Sequence, residues 1–171
     1  MPLDVPAIRA EFPIFERKIN GHRLVFLDSA ASSQKPRAVM DAMTRVYSHS
    51  YANVHRGLYT LAEEATEAYE GARAKVAKFI NADDVHEIVN VRNATEGINL
   101  IAYTWGQEHI RAGDRIVITE LEHHANLVPW QQLAKRQGAE LAYIPVTDEG
   151  LLDMEAIPPL LEDGRTKLVA C

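Results

Sequence analysis

From residue 87 onward the sequence alternates short apolar runs with longer amphipathic stretches, and this alternation most constrains the fold. Arg115-Ile116-Val117-Ile118-Thr119 is the clearest run. It is apolar on both alternating faces, the pattern of a strand covered on each side, as in a parallel sheet. The same reading gives strands at 87–91, 115–119, 140–144 and 167–170. Helices are expected at 95–105, at 128–136 closed by Gly138, and at 154–161. Strand, helix, strand, helix with short connections predicts an α/β architecture, a mainly parallel sheet between helices. Pattern alone leaves the order of the strands open.

The upstream half is more helical. Residues 5–12 read as a short helix ended by Pro13, and 24–27 as a short strand or extended segment. Residues 28–36 form a loop of small side chains, and Pro36 opens a helix to about residue 51. Leu61, Ala65, Ala68, Ala72, Val76 and Phe79 recur at three-to-four spacing, the apolar stripe of a helix over 61–80. Its other face carries Glu63, Glu64, Glu67 and Glu70 early and Arg73, Lys75 and Lys78 late, which suits the helix dipole and reads as a solvated face. The chain stops within the strand-like run 166–171, so the alternation is unfinished and a fragment of a longer protein is expected.

Bulk properties narrow the partners. A net charge of −6 with scattered basic residues argues against nucleic acid. No run of 18 or more apolar residues exists to span a membrane, and the opening MPLDVPAIRAEFPIF lacks the form of a signal peptide. The single cysteine, Cys171, excludes a disulfide framework and a cysteine zinc cage. A cytoplasmic, enzyme-like protein is the expectation.

Ligands of open α/β sheets bind beyond the carboxyl ends of the strands, and three stretches suit that place. In Val91-Arg92-Asn93-Ala94-Thr95-Glu96-Gly97 a helix begins near Thr95. Its free N–H groups and the Thr95 hydroxyl could hold a phosphate, or Asn93 or Thr95 could merely cap the helix. In ELEHHANLVPW (120–130) two adjacent histidines lie between carboxylates and a helix start, with Asn126 a candidate cap and Pro129 in the first turn. A metal site, an acid–base pair, a stacking platform and a plain exposed loop are all open for them. Adjacent residues of an extended segment point to opposite sides, so joint metal coordination is awkward and one imidazole is expected to face the crevice while the other faces away. In Asn53-Val54-His55-Arg56-Gly57, Arg56 could bind a carboxylate or phosphate, and Gly57 permits an unusual backbone angle.

Four blocks, LDSAASSQKP (27–36), YANVHRGLYTL (51–61), VRNATEGINL (91–100) and ELEHHANLVPW (120–130), together resemble the group II, sulfur-mobilisation cysteine desulfurases of the class V aminotransferase family. The resemblance runs through essentially the whole chain. It implies a pyridoxal 5′-phosphate (PLP)-dependent transferase of fold type I, aspartate aminotransferase-like. Residues 1–23 would be an N-terminal arm or small-domain segment, and 24–171 the N-terminal part of an incomplete large, PLP-binding domain. It implies that Ala94 and Thr95 bind the PLP phosphate and His123 stacks on the pyridine ring, while His124 has no direct cofactor role. Ala30 and Ala31 would line the substrate carboxylate region, with His55 and Arg56 near the active-site entrance, and no metal would be bound. Tyr59 stands where many relatives have histidine and is given no role.

The reaction so implied removes sulfur from L-cysteine, leaving L-alanine and an enzyme persulfide for iron–sulfur cluster assembly. A homodimer and a sulfur-acceptor protein would be the partners. Selenocysteine lyase, acting on L-selenocysteine, is the nearest alternative; a non-catalytic dimerisation module and a metal hydrolase built on Glu122, His123 and His124 are more distant ones. The family's Schiff-base lysine stands in a Ser-x-His-Lys setting, which none of Lys18, Lys35, Lys75, Lys78, Lys135 and Lys167 has. That lysine and the persulfide cysteine are expected beyond residue 171, so the chain by itself is expected to be inactive.

Overall fold

The computed structural model describes residues 2–171, which form two units, one reaching to Ile88 and the other Val89–Cys171. The second unit is built on a parallel sheet of three strands, β3 (Arg115–Thr119), β4 (Glu140–Ile144) and β5 (Thr166–Ala170), in the order β4-β3-β5. β3 lies in the middle and all five of its residues are buried, as its unbroken apolar run predicts. Ile116 and Ile118 pack with Ala102, Ile110, Trp130, Leu133 and Ala134 to form the core. Each such large side chain contributes about 1.5–3 kcal/mol on burial. β5 alternates instead: Leu168 and Ala170 pack against the core, while Lys167 and Val169 are exposed.

The helices of this unit follow the expected order. α4 (Ala94–Ile101) continues through a π turn (Ala102–Gly106) into α5 (Gln107–His109). Gly106 lets this segment meet α6 (Val128–Gln137): a Cβ there would lie 2.6 Å from Leu133 Cδ2. Pro129 sits in the first turn of α6, and Gly138, at φ 70°, ends it. A 3-10 turn (Met154–Ala156), capped by the Asp153 carboxylate, leads into α7 (Ile157–Leu161).

One expected strand is absent. Residues 87–91 are the end of a 3-10 turn (Val85–Glu87) followed by backbone that belongs to neither sheet. A strand needs a ladder, and this segment joins neither sheet of the described residues; Val89 is exposed, and the Ile88 carbonyl accepts from the Arg73 guanidinium.

In the first unit, α1 (Val5–Ala10) is capped by Asp4, whose carboxylate accepts from Ala7 N. A hairpin follows, β1 (Lys18–Ile19) and β2 (His22–Arg23), turning on Asn20 and Gly21 at φ 50° and 78°. Positive φ at both turn positions is the reason for the Asn-Gly pair. Residues 24–27 form no strand, although Leu24 N donates to Arg17 O at 3.3 Å just beyond the hairpin. α2 (Arg37–Arg45) starts after Pro36 and ends in a π turn (Val46–Ser50). α3 (Thr60–Ile80) is the expected long helix, ended by Asn81 in the left-handed conformation at φ 59°. Its buried residues are Ala62 and Ala77, whereas Phe79 of the expected stripe is 89% exposed. Ala65 and Ala68 of that stripe line a cavity with Val46, Tyr51 and Val54.

Candidate functional site

The carboxyl end of β3 leads into the loop that carries the two histidines. Thr119, buried at the strand end, donates its hydroxyl to Glu122 Oε1 at 2.8 Å. Glu122 Oε2 accepts from Asn126 Nδ2 at 2.7 Å, and Asn126 Oδ1 accepts from the buried Trp130 indole at 2.8 Å. Between these anchors the chain makes a 3-10 turn, His124–Asn126. Asn126 therefore does not cap α6, whose N-cap is Leu127 and has no side-chain bond. Ala125 N donates to His123 Nδ1 at 3.0 Å. A ring nitrogen that accepts is unprotonated, so the neutral His123 ring carries its proton on Nε2.

The two imidazoles both line one cleft of about 410 Å³, with their rings nearly perpendicular and 6.3 Å apart. The strand alternation that predicted opposite directions ended at Thr119, and a turn has replaced it by residue 124. No group of three His, Cys, Asp or Glu side chains among the described residues is arranged to hold a metal ion. Glu122 is committed to Thr119 and Asn126, and Glu120 Oε2 accepts from Val146 N.

The opposite wall of the cleft is α4 and its π turn, through Thr95, Asn99, Ala102 and Tyr103. Asn93 caps α4, its Oδ1 accepting from Glu96 N at 2.9 Å. Glu96 reaches back over the cap to Arg92, accepting from its backbone N–H at 2.6 Å and from its guanidinium. The guanidinium bonds first, and the backbone bond second, hold the Glu96 carboxyl below the usual range. With Asn93 occupying Glu96 N, the Ala94 and Thr95 N–H groups and the Thr95 hydroxyl have no partner among the described residues. Those three donors at a helix N-terminus suit a phosphate. The cleft volume lies in the range of small-molecule sites, and imidazoles in its wall suit a flat aromatic ring. The residues present thus fit PLP.

Thr95 and His123 share this cleft; Ala94 stands beside Thr95 on the first turn of α4. Ala30, Ala31 and Arg56 belong to the first unit. Ala30 and Ala31 lie in an exposed turn, and Arg56 is exposed and makes no ion pair with a described residue. The positive φ of this segment falls on His55, at 63°, and not on Gly57. His55 is tied to α3: its N–H donates to Thr66 Oγ1 at 2.9 Å, its Nε2 lies 2.7 Å from Glu70 Oε1, and its ring meets Tyr69 edge-on. Gly57 is required by proximity instead, since a Cβ there would meet the Tyr59 ring at 2.6 Å. Sequence reasoning missed the bonds joining Thr119, Glu122, Asn126 and Trp130, and the Tyr103–Arg136 cation–π pair at the other end of the cleft. The first had a signal, the spacing of four from Glu122 to Asn126 to Trp130.

Known proteins place the chain. Residues 25–171 match the family described as aminotransferase class-V. Proteins named cysteine desulfurase from Salmonella newport and Salmonella typhi are each 53% identical over 170 residues, 99% of this chain and 42% of their own length. The chain thus spans less than half the length of the curated relatives it matches. The solved cysteine desulfurase CsdA from Escherichia coli is 37% identical with a TM-score of 0.78, over 99% of this chain and 41% of its own. The apo cysteine desulfurase from Thermococcus onnurineus NA1 is 37% identical with a TM-score of 0.84, over 99% of this chain and 40% of its own. A C-DES variant, 25% identical with a TM-score of 0.56 over 78% of this chain and 34% of its own, was solved with glycine covalently linked to PLP. The parallel α/β sheet is accordingly part of a fold-type I domain. With the match running from residue 25 to the last residue, the chain belongs to the class V aminotransferase family.

Proposed function

We propose that this chain is the phosphate- and ring-binding part of a PLP-dependent cysteine desulfurase. The observation that carries the reading is the single cleft lined by Thr95 at the start of α4 and by His123 after β3. When bound, PLP supplies an electron sink for bond cleavage at the substrate. The protein's part is to bind, orient and shield. Ala94 and Thr95 hold the phosphate with two N–H groups and a hydroxyl, aided by the helix dipole. His123 would stack on the pyridine ring and hold it in the cleft. Ala30 and Ala31 line the place of the substrate carboxylate, and Arg56 meets that carboxylate as a bidentate donor. The substrate of the whole protein is L-cysteine, whose sulfur passes to a protein cysteine as a persulfide while L-alanine leaves. That cysteine, and the lysine that joins the cofactor, belong to sequence outside these 171 residues. The whole protein works in the cytoplasm as a homodimer and hands sulfur to an acceptor protein for iron–sulfur cluster assembly.

Two measurements test the reading. Pyridoxine 5′-phosphate lacks the aldehyde and does not react with surface lysines, so equilibrium dialysis with it reports the cleft alone. His123→Ala should weaken binding about three- to tenfold, the worth of one lost stacking contact, and Thr95→Val should weaken it by a similar factor. Alanine release from L-cysteine, with PLP and a reductant, should be seen for a protein of the relatives' full length. It should stay at the no-protein level for the 171-residue chain. Wild-type binding that neither substitution alters, or turnover by the short chain, overturns the reading.

A further inference from the structure

We propose that Glu122 and Asn126 are positioning residues that fix the His123 ring in one tautomer and one orientation. The inference rests on the reading of His123 as the residue that stacks on the cofactor ring. The two side chains form a chain of hydrogen bonds whose donors run in from both ends to the Glu122 carboxylate. The Trp130 indole only donates, so it fixes the oxygen of the Asn126 amide on its side, at 2.8 Å. The amide nitrogen is then turned to Glu122 Oε2, at 2.7 Å. Glu122 uses its other oxygen to accept from the Thr119 hydroxyl, at 2.8 Å. Both ends of the chain are anchored in the interior, since Thr119 and Trp130 are each 2% exposed.

His123 lies inside this clamp. Its predecessor is Glu122, and its carbonyl accepts from Asn126 N at 2.8 Å. The clamp therefore holds the backbone on both sides of the ring. The held turn aims the Ala125 N–H at His123 Nδ1, which leaves the proton on Nε2. The His124 ring stands edge-on beside it. None of these partners needs to touch the cofactor. They decide which nitrogen of His123 carries hydrogen and how the ring lies in the cleft.

The polarity of the clamp supplies its test. Asn126→Asp keeps the shape and the Trp130 bond but sets a carboxylate oxygen against the Glu122 carboxylate. Adding Glu122→Gln restores the chain with the charge transposed: the new amide accepts from Thr119 and donates to the new carboxylate. Histidine is labelled with nitrogen-15, and the His123 signals are assigned by their loss in His123→Gln. In the cofactor-free wild type they should show one tautomer with Nε2 protonated. Asn126→Asp should mix the tautomers and weaken pyridoxine 5′-phosphate binding about three- to tenfold, and the double variant should recover both. Glu122→Leu alone, which removes both acceptors of the chain, should repeat the defect and stands in if Asn126→Asp fails to fold. Retained tautomer and affinity in the folded single variants overturn the proposal, as does a folded double variant that recovers neither. The ring spectra need no cofactor. A wild type that binds no pyridoxine 5′-phosphate but shows the loss and recovery of the tautomer therefore overturns the cofactor reading and leaves the clamp standing.

Discussion

Gly106 shows how a single residue can oppose its own local preference. Alanine would favour the helix by about 1 kcal/mol over glycine. A Cβ at this position, however, would meet Leu133 Cδ2 at 2.6 Å, and Leu133 is fully buried in the core. Overpacking of a closed core costs about 1–3 kcal/mol, so Gly106→Ala should destabilise the protein despite the gain in propensity. Urea unfolding of the two proteins should show a lower midpoint for the variant with the slope unchanged. At Gly71, on α3, an added Cβ would meet nothing within 4 Å beyond its chain neighbours and the local helix backbone, and Gly71→Ala should raise the midpoint instead. The sequence makes both glycines visible and cannot tell them apart, because the difference lies in a contact between residues 106 and 133. Asn126 is a similar case. Its type and place before α6 fit a cap, yet the buried Trp130 indole claims its oxygen.

The start of α4 carries an acid-sensitive contact. Glu96 is bonded to the Arg92 guanidinium and backbone, and its carboxyl is held below its ordinary range for those reasons in that order. A carboxyl with a lowered folded-state pKa contributes stability that is present above its unfolded value of about 4.3. That contribution is lost as pH falls through the lower folded value. Glu96→Gln removes the dependence. The difference in melting temperature between wild type and Glu96→Gln should therefore be full at about pH 6 and shrink as the pH is lowered below about 4. A difference that stays constant through this range would show that the Arg92 bonds add nothing specific to the charged form. Elements were legible where one strand or helix fixes its own pattern. β3 and β4 fall at 115–119 and 140–144 as read, because their apolar runs are bounded by turn residues. Residues 87–91 carry the same apolar pattern but lack a ladder, and pairing is a property of two segments. The hairpin at Asn20-Gly21 had a local signal that the reading overlooked.

Across the larger structure, the sheet of the second unit divides binding from stability. The cleft of Thr95 and His123 lies beyond the carboxyl end of β3, while its amino end holds a network of charges. Arg115 opens β3 and is 5% exposed. Its Nη2 lies 2.9 Å from Asp163 Oδ2, and its Nη1 donates to Asp163 Oδ1 and to the Leu160 carbonyl. Its Nε approaches Glu140 Oε2 at 3.2 Å without hydrogen-bond alignment. Arg165 joins the same two carboxylates from outside, so the network ties the starts of β3, β4 and β5. Asp163→Ala leaves the buried guanidinium with the misaligned Glu140 and should cost about 2–4 kcal/mol. Arg115→Met removes the buried charge and keeps most of the side-chain volume, while Glu140 and Asp163, both partly exposed, retain Arg165. It should cost less. Combining the two substitutions should give a protein more stable than Asp163→Ala alone, because the buried charge that has lost its aligned carboxylate is gone. Thermal unfolding of the four proteins measures the coupling, and pyridoxine 5′-phosphate affinity should be unchanged in every variant that stays folded. If the double variant is the least stable of the four, the network is valued for its bonds and not for satisfying Arg115. If affinity falls together with stability, the two ends of the sheet are not independent.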